Sequence, residues 1–122
     1  MRRVSKADGE PMTTVSQLLY VDHLVRVTCT VTPGSALIRI IGELDRTNSA
    51  EVLRTLERAR RIDHPLVIDV GQVGFTDVMA VRALVAFAER AGAPLRDTPY
   101  QMRRLMRLMR LRPFGEPENP SS

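Results

Sequence analysis

Leu66-Val67-Ile68-Asp69-Val70-Gly71-Gln72-Val73-Gly74-Phe75-Thr76-Asp77 decides how this 122-residue chain folds. The run Leu66–Val70 shows no apolar–polar alternation, which suits a strand covered on both faces. Gly71–Thr76, with two glycines, reads as a loop. Asp77 stands immediately before a helical run, where its carboxylate can accept from free backbone N–H groups as an N-cap. That helix runs about Val78–Ala91 and ends at Gly92. Strand, turn and capped helix in this order make half of an α/β crossover.

Upstream, Val25, Val27, Cys29 and Val31 alternate with Arg26, Thr28 and Thr30, which predicts a half-buried strand over Leu24–Val31. Thr32-Pro33-Gly34-Ser35 is a turn. Leu37–Ile41 returns antiparallel, and Gly42-Glu43-Leu44-Asp45 breaks the pattern. A helix over Ser49–Arg61 follows, with Val52, Leu53, Leu56 and Ala59 as its apolar stripe. Thr47, Asn48 or Ser49 can cap it, and Glu57 can pair with Arg61 at i,i+4. Downstream come a weak strand at Pro94–Arg96 and a last helix over Pro99–Leu111. The whole predicts one α/β domain, a small mixed sheet of about four strands flanked by about three to four helices. Residues 1–18 read as a flexible arm, 19–112 as the domain and 113–122 as a flexible tail.

Composition narrows the chemistry. The 43% apolar and 26% charged shares are those of a globular chain. No apolar run is long enough for a transmembrane helix, and no apolar stretch follows the basic start, so a cytoplasmic location is expected. The single cysteine, Cys29, excludes an intramolecular disulfide and a multi-cysteine metal site. Lys6 is the only lysine among 18 basic residues, leaving none in the domain for a Schiff base or a phosphate loop. His23 and His64, the only two histidines, sit in no motif. Asp45, Asp69 and Asp77 could hold Mg²⁺ if they met at one sheet edge, but caps and turns account for them more simply. Neither a metal nor another cofactor is expected, nor is an enzymatic activity.

Two helices bear on function. Val78–Ala88 carries only Arg82 as a charge and is apolar nearly all round. Flanking helices would explain that; so would a docking surface at its first turn, Val78 and Met79. A scaffold that self-associates through this helix, as a homodimer, is one alternative function. In the last helix Met102, Leu105, Met106 and Met109 form one face, and Arg103, Arg104, Arg107 and Arg110 the other. The arginine face offers a second alternative, an anionic surface or nucleic acid. Aromatic residues for base stacking are nearly absent around it, which makes nucleic acid the weaker partner.

Three segments in order resemble the STAS domain, the family of bacterial anti-sigma factor antagonists: Gly42-Glu43-Leu44-Asp45, then Leu66–Asp77, then Arg103-Arg104-Leu105-Met106-Arg107-Leu108. The resemblance spans about residues 20–112. It implies a non-catalytic α/β domain that regulates transcription by binding an anti-sigma factor of the histidine-kinase-like ATPase class. The implied contact surface is Asp45, Gly74, Phe75, Thr76, Asp77, Val78, Met79 and Arg82. In such antagonists the kinase phosphorylates a hydroxyl residue just after the aspartate matched by Asp77, within Asp-Ser-Ser-Gly. Here the segment reads Asp77-Val78-Met79-Ala80, so the matched phosphosite, Val78, is degenerate and the usual switch is not expected to operate.

Overall fold

The computed structural model describes residues 15–62 and 65–111. His64 and the segments read as the tail and most of the arm lie outside them. The elements are β1 (Ser16–Val21), β2 (Val25–Thr32), β3 (Ser35–Leu44), α1 (Ser49–Ile62), β4 (Leu66–Thr76), α2 (Val78–Ala91), β5 (Leu95–Arg96) and α3 (Tyr100–Leu108). They form one five-stranded sheet in the order β1-β2-β3-β4-β5. The first three strands are antiparallel neighbours; β3, β4 and β5 run parallel.

The mixed α/β architecture is therefore the expected one, with a fifth strand. That strand, β1, begins at Ser16, inside the segment read as an arm. Its sequence, Ser-Gln-Leu-Leu-Tyr-Val, has no period-2 alternation, because an edge strand is half exposed on both faces. Asp22 then turns the chain into β2: its Oδ1 accepts the Leu24 and Val25 amides at 2.7 and 2.9 Å. Those bonds, the Leu24 amide foremost, hold the Asp22 carboxyl below its ordinary pKa.

Both parallel crossovers, β3-α1-β4 and β4-α2-β5, step in the same direction across the sheet. With the usual right hand they lay α1 and α2 on one face. α1 packs on α2 and α2 on α3, so the three helices form one layer. Beneath it lies the core: Val25, Val27, Cys29, Ile38, Ile40, Ile68, Val70, Leu56, Leu84 and Phe87. Cys29 is a buried core residue as expected, whereas Val31 is exposed at the end of β2. α2 is central in the helix layer, which explains its nearly all-round apolar sequence. Ala80, Val81, Leu84, Val85, Phe87 and Ala88 are all buried, and the exposed strip runs Val78, Met79, Arg82, Ala86, Glu89, Arg90.

The opposite sheet face is more open. There Asp69 accepts from Arg39 at 3.3 Å and lies 3.9 Å from Arg96, so a charged row crosses β3, β4 and β5. Asp69 is buried among these partners and Val67 is half buried, so β4 is covered fully on the helix side and partly on the other.

Two strands run longer than the glycine pattern suggests. β3 continues to Leu44 and β4 to Thr76, so Gly71–Thr76 is strand, not loop. The glycines do not end the strands, because register shifts after Arg39 and after Gly42 keep the two paired up to Leu44↔Thr76. Gly42 permits this. Its φ is +116°, and a Cβ there would stand 2.3 Å from the Leu24 carbonyl oxygen. That oxygen accepts the Glu43 amide at 2.9 Å.

At the helix ends the outcomes are mixed. On α1, Glu57 pairs with Arg60 at i,i+3, not with Arg61. Gly92 closes α2 at φ +65° as expected. α3 starts at Tyr100 after Pro99 and stops at Leu108, short of Leu111. Arg110, at φ +60°, takes the left-handed place that a glycine usually fills, and the Leu111 amide reaches back to the Met106 carbonyl at 2.7 Å. Leu111 thereby packs on the core.

Candidate functional site

The carboxyl ends of β3 and β4 lie side by side, with Glu43 opposite Phe75 and Leu44 opposite Thr76. In sheets with parallel strands this edge is where helices begin and ligands or partners are met. The chain leaves β3 through Asp45-Arg46-Thr47-Asn48 and leaves β4 directly into α2. Asp77 joins the two exits. Its Oδ1 accepts the Ala80 amide at 2.9 Å, capping α2, and its Oδ2 accepts the Arg46 amide at 2.9 Å. One carboxylate thus fixes the first turn of α2 against the β3–α1 loop.

That loop is held from within. Asp45 Oδ1 accepts both the amide and the hydroxyl of Thr47. The hydroxyl bond leads in holding the Asp45 carboxyl below its ordinary pKa. Asn48 is buried, and its side chain donates to the Glu43 carbonyl and accepts the Asp45 amide, at 2.9 and 3.0 Å. Asn48 thus ties the loop together rather than turning its side chain to α1. Arg46 is the residue that sequence reasoning missed, and Asn48 reads there only as a possible helix cap. Asn48, three residues after Asp45, carries the turn-forming chemistry that could have revealed it; a backbone donor such as the Arg46 amide leaves no trace in residue type.

The surface of this rigid corner is apolar. Phe75 is 46% exposed, Val78 41% and Met79 60%. Arg82 follows one turn along the same strip of α2, and its Nη2 lies 3.7 Å from the Met109 sulfur on α3. Asp77 is half buried, and Gly74 is exposed with open space where a Cβ would stand. Asp45, Gly74, Phe75, Asp77, Val78, Met79 and Arg82 are therefore brought into one neighbourhood. Thr76 is in it by position only. It is 4% exposed and its hydroxyl is buried without a hydrogen-bond partner. Ala80 buries its methyl in the core.

The three aspartates do separate work: Asp45 shapes a loop, Asp77 caps a helix, and Asp69 sits in the Arg39 and Arg96 row. Among the described residues no three His, Cys, Asp or Glu side chains gather as a metal site. On α3, Met102 and Met106 are buried and Leu105 and Met109 half buried, as the stripe predicts. Arg103, Arg104, Arg107 and Arg110 are exposed, but Arg103 is engaged within the chain, donating to the Thr98 carbonyl at 2.6 Å. No helix among the described residues is long and apolar enough to cross a membrane.

The double role of Asp77 has a measurable consequence. Asp77→Ala removes the cap and leaves the exposed Arg46 amide to water, so it should cost about 1–2 kcal/mol. Urea denaturation of the variant checks this; an unchanged midpoint would mean the Asp77 bonds contribute nothing.

A search of curated proteins finds no match to the chain. The family described as "Mlab, STAS domain" matches residues 27–113, from β2 past the end of α3 and including every candidate contact residue. The chain belongs to the STAS domain family.

Proposed function

We propose that this STAS domain is a non-catalytic regulatory binder whose partner is an anti-sigma factor of the histidine-kinase-like ATPase class, and that it works without the phosphate toggle. The observation that carries the reading is the character of the first turn of α2. The place after Asp77, where antagonists of this family accept phosphate, holds the exposed hydrocarbon of Val78, followed by the exposed Met79.

The physics of the usual toggle explains why this matters. A phosphate at a helix N-terminus is welcomed by the free amides and the dipole. Its charge of about −2 would nonetheless repel a partner docked on that turn, and Asp77 stands beside it. A valine leaves an apolar contact that no kinase can switch. Thr76 is a poor substitute acceptor: its hydroxyl is buried at the end of β4, so phosphorylation would require the strand end to open. Control then falls to supply of the protein, to competition or to an attached subunit.

The test is incubation with an ATPase of that class and ATP, followed by phosphopeptide mapping. Residues 76–79 should remain unmodified and binding should be equal with ATP and with ADP. Stoichiometric phosphate at Thr76 would overturn the constitutive reading.

A further inference from the structure

Apart from Val31 at the end of β2 and Tyr100 and Leu108 on α3, the exposed large apolar side chains among the described residues lie in two places. One is the α2 corner already described. The other is the outer edge of the sheet: Val15, Leu18 and Val21 on and beside β1, and Ile62 at the end of α1. The regulatory reading makes no use of the second group.

Among the described residues β1 and β5 are the two sheet edges. Edge strands offer unpaired N–H and C=O groups, and soluble proteins blunt them with charge, proline or shortness. β5 is blunted in two ways: it has only two residues, and Arg96 and Asp97 stand there. β1 is not. Val15-Ser16-Gln17-Leu18-Leu19-Tyr20-Val21 has no charge and no proline, and its one irregularity is the register shift between Leu18 and Tyr20. α1 does not close over it either. A groove lined by Gln17, Leu19, Arg58 and Ile62 runs between strand and helix.

The geometry points to a second copy of this chain as the occupant of this edge, paired antiparallel through β1 about a two-fold axis. The sheet then continues across the axis into ten strands, twice the five of one chain. Such pairing is self-complementary, and it sets uncharged residues against uncharged residues in a chain whose net charge is +4. Leu18 is 56% exposed on the open side of the sheet and Ile62 is 79% exposed on the helix side. Two-fold pairing brings each toward its counterpart. Arg58 borders the groove and both copies carry the same net charge of +4, so screening by salt favours the dimer, the reverse of a contact made by opposite charges. A strand pair with these flanks is a small interface, so a dissociation constant on the order of 10–100 µM is expected.

Sedimentation equilibrium of the full chain tests this. A reversible monomer–dimer equilibrium should appear in that range and tighten as salt rises. Leu18→Lys should weaken it at least about tenfold, Ile62→Glu should also weaken it, and Met79→Glu should leave it unchanged. Both weakening substitutions are at exposed positions, and thermal melts confirm that the variants fold. A wild-type chain that stays monomeric at about 1 mM would overturn the proposal. So would a dimer lost in Met79→Glu and kept in Leu18→Lys, which would place self-association at α2. The α2 partner reading is untouched by the first result, since it uses a different surface; the second would make the α2 turn a self-contact and count against that reading as well.

Discussion

Met79→Glu is expected to weaken partner binding about 100-fold while leaving the fold intact, a loss of about 2.8 kcal/mol. Met79 is 60% exposed on a turn that Asp77 holds rigid, so its side chain is free to be the buried centre of a contact. Truncating or charging such a centre accounts for most large losses in protein interfaces. A carboxylate there must either be desolvated against an apolar partner or hold the partner off. The position lies in the first turn of a helix, where a glutamate is well tolerated electrostatically, so stability should not fall. Calorimetry against the ATPase, with a thermal melt as control, separates the two effects. Affinity within about threefold of wild type would remove Met79 from the contact and leave the corner without its centre.

Gly42→Ala should be the most damaging glycine-to-alanine change among the described residues. At φ +116° an alanine is strained whatever space it has, and here its Cβ would meet the Leu24 carbonyl oxygen at 2.3 Å. The oxygen is backbone and a Cβ has no rotamer by which to avoid it, so relief requires β2 and the end of β3 to part, breaking the bond from the Glu43 amide to Leu24. A cost of about 3 kcal/mol or more follows, with a fall in Tm of roughly 10 °C or more. Because Gly42 positions the loop that Asp77 holds, partner binding should weaken as well. Gly74→Ala is the control, since nothing lies within 4 Å of a Cβ placed there. If the two variants melt alike, the close approach at Leu24 is not what Gly42 is there for.

The sequence was legible where burial is one-sided or local chemistry is strong. The alternation of β2 marks a sheet with one covered face, Asp77 and Gly92 mark the ends of α2, and the methionine stripe marks the buried side of α3. It was misleading where glycines meant bulges instead of breaks. Gly42, Gly71 and Gly74 suggested that β3 and β4 stop early, yet pairing between the strands carries them on to Leu44 and Thr76. β1 was hidden because an edge strand need not alternate. At the candidate site, the side chains are proposed from their resemblance to a known motif. The bond from the Arg46 amide to Asp77, which makes the corner rigid, is made by backbone that any residue could supply.

The proposed role of the uncharged first turn of α2 is tested by intact-mass and peptide mapping after incubation with an ATPase of the proposed partner class and ATP. Wild-type protein should emerge without phosphate and still bound, whereas Val78→Ser, which returns a hydroxyl to the matched position, should be phosphorylated and released. A wild-type chain that takes up one phosphoryl group at Thr76 and lets go of its partner would contradict it.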